Sequence, residues 1–176
     1  MKLYLLLTCL FLSALSFSQK TTAPTTKSIL LEQLRTTHNV KDWFVPVNTA
    51  IEGLTPQQAS WRDSSGNHSI GMLTNHLVFW DLQQLEKFNG QKPPSFSGDN
   101  NETFNSFDAT NWKATVQRLD SVLTAWEKAI EKADEKKLQD WYNIISHIST
   151  HNAYHTGQII YIRKLQGSWN PENGVK

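Results

Sequence analysis

Two histidines, His151 and His155, stand four residues apart in Ile148-Ser149-Thr150-His151-Asn152-Ala153-Tyr154-His155-Thr156-Gly157-Gln158-Ile159. Residues i and i+4 of a helix share one face about a turn apart. Ile144, Ile148, Ile159 and Ile162 follow spacings of three or four residues, and the two histidines continue that stripe, so both imidazoles should point into the protein. A pair of neutral imidazoles at this spacing can grip one divalent cation. A third ligand must come from elsewhere. His76 lies beside the apolar stripe Leu73, Leu77 and Trp80 of an earlier helical segment. Sites in helix bundles are built from facing helices, so His76 can stand opposite the pair. Three imidazoles with a fourth position left to solvent make the open catalytic zinc arrangement. The alternative is a set of core histidines that are simply hydrogen-bonded.

His147 lies one further turn back. Three histidines at i, i+4 and i+8 do not converge on one ion, because the outer two are about 12 Å apart along the axis and the face turns by roughly 40° per step. His147 therefore supports the ligands, carries protons at the rim, or is a half-exposed helix residue. Gln158 follows His155 by three residues and Tyr154 precedes it by one, so either can order a bound water or hold an imidazole. Both also suit plain helix packing or a partner contact. A helical metalloprotease needs Glu after the first His, and Asn152 stands there. No Gly-x-Ser-x-Gly turn supports a serine nucleophile, and no glycine-rich phosphate loop is present. The nucleophile would then come from the metal, as hydroxide or as the thiolate of a cosubstrate.

These residues need long helices to position them. Ser28 is a candidate N-cap for a first helix, with Leu30, Leu34, Val40, Phe44, Val47 and Ile51 carrying an apolar face that Pro46 interrupts and Gly53 ends. Thr55-Pro56 predicts a short helical turn. After a loop at Asp63–Asn67, Ser69 caps a second helix that Gly90 closes. Residues 91–107, with Pro93-Pro94 and several Asn and Ser, read as a long connection, either functional or a crossover. A third helix starts at Asp108 or Thr110 and buries Trp112, Val116, Leu119, Val122, Leu123, Trp126 and Ile130. The charged run Lys128–Lys137 reads as its solvated end, and a fourth helix spans about Trp141 to Leu165, stopped by Gly167. Four amphipathic helices without strand-like alternation predict an all-α fold, a four-helix bundle over residues 28–170.

Residues 1–18 read as a secretory signal peptide: Lys2, an apolar run from Leu3 to Phe17, and Ser16 and Ser18 before a cleavage site at Ser18/Gln19. The run is too short for a durable membrane span. Residues 19–27 follow as a Thr-rich leader, and the expected destination is the periplasm or the exterior. Cys9, the one cysteine, lies inside the signal, so the exported chain has neither a disulfide nor a thiol nucleophile. Seventeen basic residues face 16 acidic ones, and losing Lys2 with the signal balances them. That balance gives no reason to expect nucleic acid or an anionic membrane as partner.

Leu54-Thr55-Pro56-Gln57-Gln58-Ala59-Ser60-Trp61, Ser69-Ile70-Gly71-Met72-Leu73-Thr74-Asn75-His76-Leu77 and His151–Ile159 together resemble the DinB family, most specifically in the His-x-x-x-His-x-Gly-Gln ending. The resemblance covers nearly all of the chain after the signal. It implies a bundle in up-down-down-up order with a long crossover between helices two and three. It also implies a metal triad that falls on His76, His151 and His155, holding zinc or nickel. Members are described as metal-dependent hydrolases or as thiol S-transferases and isomerases that use low-molecular-weight thiols. The implied partners are a small-molecule substrate and, for a transferase, such a thiol, with a homodimer left open. The signal peptide departs from the family, whose members are usually cytoplasmic. A non-catalytic metal- or ligand-binding bundle is the alternative reading.

Overall fold

Side-chain caps mark where four of the seven α-helices begin in the computed structural model, which describes residues 23–175. The expected signal peptide lies outside these described residues. Helix α1 runs Thr26–His38. Its N-cap is Thr25 rather than Ser28: the Thr25 hydroxyl accepts from the Ser28 amide, and the Ser28 side chain returns the bond to the Thr25 amide. The last leader residues are thus the helix's first turn. The apolar face does not continue past His38, and Val40 and Phe44 are exposed. Pro46 disfavours helix at Val45 just before it, and the chain is non-helical there. Pro46 then stands at the N-cap of the short α2, Val47–Ile51. Thr55 and Gln58 form a second reciprocal cap for α3, Pro56–Ser60.

Ser69 caps α4, Ile70–Phe88, by accepting from the Met72 amide. Gly90, at φ +75°, ends it with bonds from Gly90 to Lys87 and from Gln91 to Glu86. The long connection contains a four-residue helix, α5 (Glu102–Asn105), and a 3-10 turn at Ala109–Asn111 capped by Asp108. Helix α6 spans Trp112–Lys132. The charged run is not merely its solvated end: Asp134 caps α7 by accepting from the Lys137 amide, and α7 runs Glu135–Leu165, starting six residues before Trp141. At 1.5 Å per residue it is roughly 46 Å long.

The fold is all-helical, with seven α-helices and no strand among the described residues. Four helices are long. Helices α1 and α4 each pack against both α6 and α7. Between them lie Leu34, Leu77, Leu119, Leu123, Trp126, Ile130, Leu138, Ile145 and Ile159, all removed from solvent. The Trp126 indole donates to the Asp81 carbonyl at 2.9 Å, which satisfies its one polar atom in the core. No described helix is long and apolar enough to cross a membrane.

Candidate metal centre

Helices α4 and α7 meet where their apolar stripes admit histidine. The Nε2 of His151 lies 3.1 Å from that of His76 and 3.0 Å from that of His155. One ligand nitrogen from each ring falls within 4.8 Å of the others. Four ligands at zinc's bond length of about 2.0–2.1 Å would stand about 3.3 Å apart in a tetrahedron. Two of the three separations are close to that edge length, and the third is within 4.8 Å. His76 and His155 are buried and His151 is half-buried.

The outer partners decide which nitrogen of each ring is bare. His155 Nδ1 lies 2.6 Å from the Gln158 Oε1, an acceptor, so Nδ1 carries the proton. His76 Nδ1 lies 2.5 Å from the Thr103 hydroxyl. That hydroxyl gives its single proton to the Asn100 carbonyl at 2.6 Å, so it accepts from the ring. Both rings thus turn a bare Nε2 toward His151. One proton on His151 can bridge to one of them and not to both. The other bare Nε2 is left without a donor, which a shared cation would satisfy. Burial, followed by the neighbouring rings His155 and His151, depresses His76 to about 3. Burial, then His155, lowers His151 to about 4. Burial also lowers His155, against the opposing pull of Gln158. All three are neutral at pH 7, as metal ligation requires.

Helix α5 supplies the wall behind His76. Phe104 stacks on the His76 ring with centroids 3.8 Å apart, and on its other face stacks His68 at 4.0 Å. Neither Thr103 nor Phe104 was legible in the sequence as a site residue, since a four-residue helix carries no periodicity. His147 is exposed and outside the triad; it lines a cavity of about 550 Å³ with His76, Trp80, Asp81, His151 and Tyr154. The Tyr154 hydroxyl lies 3.3 Å from the Gln158 amide nitrogen, which donates to it. Gln158 and Tyr154 therefore form one chain of hydrogen bonds ending on His155.

A family model for the DinB superfamily matches residues 47–159. The chain belongs to the DinB superfamily. The match contains all three histidines and Gln158, and it also takes in the α5 segment that carries Thr103 and Phe104. No curated protein and no solved structure matches the chain. In this DinB-superfamily chain the three-histidine cluster is the described group of His, Cys, Asp or Glu residues suited to a divalent cation.

Proposed function

We propose that the protein is an exported divalent-metal enzyme of the DinB type that acts on a small molecule. His76, His151 and His155 would hold zinc or nickel, and the reaction would be hydrolysis or thiol S-transfer. The observation that carries this reading is the convergence of three Nε2 atoms beside an open cavity. Among the described residues no fourth His, Cys, Asp or Glu joins the group. This favours a coordination position left for a reactant over a closed structural site. The bound cation would supply Lewis-acid activation of a nucleophile. Gln158 holds the His155 ring and Thr103 holds the His76 ring, each fixing a proton on Nδ1. His147, exposed at the cavity rim, is placed to exchange protons with solvent. Trp80, Ile144 and Ile148 offer an apolar wall that would exclude water from a bound molecule.

We also infer an up-down-down-up bundle. Lys27 and Arg35 on α1 reach Glu131 and Glu127 on α6, and His38 reaches Asp120, which suits opposed directions. His76 meets His151 and Phe88 meets Trp141, which suits opposed directions for α4 and α7.

Metal analysis tests the centre. Chelator-stripped protein reloaded with zinc or nickel should hold one ion per chain, and His76→Ala should hold far less; equal metal in both would remove the triad. Turnover of an electrophile panel with and without an added thiol separates the two reactions. Thiol-independent rates would leave hydrolysis.

A further inference from the structure

A second cavity, of about 250 Å³, is lined by loop 61–69, by Leu73 of α4 and by the last turns of α7. It shares no lining residue with the large cavity beside His76 and His151. A cavity of about 150 Å³ takes benzene, so this one takes a ring with a short polar arm. Its charged donor is Arg62. The Arg62 Nε donates to the Asn67 carbonyl at 2.7 Å and Nη2 to the Gly66 carbonyl. Both acceptors are neutral, and Arg62 makes no ion pair among the described residues. The two carbonyls fix one edge of the guanidinium and leave three of its five N–H donors, the Nη1–Nη2 edge among them, without a partner. Asp63 also lines the cavity, but its carboxylate accepts from the Ser65 amide and hydroxyl and from the Asn67 side chain. The His68 ring lies flat against Phe104, and neither of its nitrogens has a hydrogen-bond partner among the described residues.

We propose that this second cavity binds a small carboxylate with an apolar body, its head on the free edge of Arg62 and the His68 N–H and its body against Trp61, Tyr161 and Leu73. A carboxylate meets a guanidinium edge with two parallel charge-assisted bonds, whereas a neutral amide brings one acceptor and no charge. An ammonium would meet the Arg62 charge and find the Asp63 oxygens already engaged. The carbonyls of Gly66 and Asn67 hold the fork in place before the ligand arrives, so less ordering is left to the binding step. Gln158, whose Oε1 accepts from His155 Nδ1, lines the same cavity, so the carboxylate site adjoins the metal centre from behind. It holds its ligand whether or not a cation fills the triad.

Calorimetric titration of the chelator-stripped full chain with phenylacetate, phenylacetamide and 2-phenylethylamine tests this. Phenylacetate should bind at least about fivefold more tightly than the amide, and the amine most weakly. The preference should shrink as salt rises from about 0.05 to about 0.5 M, because Arg62 is exposed. Arg62→Gln, on an exposed loop, should lose about fivefold or more for phenylacetate and stay within about twofold for the amide, while Tyr161→Ala should weaken both. Equal affinity for acid and amide, preference for the amine, unchanged phenylacetate affinity in Arg62→Gln, or no binding would each overturn the proposal. So would binding that appears only after zinc is added, since the cation would then hold the carboxylate. Zinc uptake, measured separately, bears on the three histidines alone.

Discussion

The proton inventory of individual side chains sets the first expectations. His76 at about 3 and His151 at about 4 lie below the unfolded value of 6.5. Each therefore binds a proton more readily in the unfolded chain. The stability they contribute is full above pH 6.5 and is lost as the pH falls toward 3 to 4. Metal-free protein should melt at progressively lower temperature from pH 7 to pH 4, with a shallower slope in His76→Gln; identical slopes in a calorimetric series would contradict this. Asp81 runs the other way. Its raised value means that stability present below the usual carboxylate pKa is lost as the pH rises, so Asp81→Asn should gain on wild type between pH 4 and pH 7. Gln158 acts on the tautomer of His155 rather than on charge. Gln158→Ala should lower metal affinity by about 10- to 100-fold in a chelator competition. Gln158 was legible because helical spacing alone places it by His155. Asp81 was not, since it stands at a position where the helical pattern calls for an apolar residue.

At the scale of elements, the connection between α4 and α6 is what turns three histidines into an organised site. Thr103 and Phe104 hold the far side of the His76 ring, and Asn75 ties the segment down by donating to the Thr103 carbonyl at 2.9 Å. Gly71 lets the connection lie close, because a Cβ there would run into the Phe107 ring. Thr103→Val keeps the shape and removes the acceptor. It should cost about 10- to 100-fold in metal affinity while Thr103→Ser retains it; equal affinity in both would show that the ring needs no anchor. Sequence spacing predicted a long connection and left its role open. The helices themselves were legible through Ser69, Gly90 and Gly167, whose backbone roles are local. The start of α7 was not, because Asp134 and the following charges look the same whether they end one helix or cap the next.

For the molecule as a whole, polar anchors away from the centre hold the helices together. His38, fully buried on α1, is bonded at both nitrogens by Glu127 (2.6 Å) and Asp120 (3.0 Å) of α6. At the other seam, Arg163 of α7 donates to the carbonyls of Ala50, Glu52 and Ser168 and lies over the Trp169 ring. It thereby fastens α2 and the C-terminal tail to the last helix. The bonds from His38 to α6 and from Arg163 to Ala50 and Glu52 do not follow from periodicity, since they join residues far apart in sequence. Arg163 stands two turns beyond His155, about 12 Å along the helix, with no bond to the histidines' partners. Arg163→Met keeps most of the side-chain volume but abandons three carbonyls, which should cost about 3–5 kcal/mol. Thermal melts should show that loss, while zinc affinity of the still-folded variant should stay within about threefold of wild type. Lost zinc affinity in a folded Arg163→Met protein would mean that the end of α7 sets the pose of His155. The site would then depend on the whole length of the helix rather than on Gln158, Thr103 and Phe104 alone.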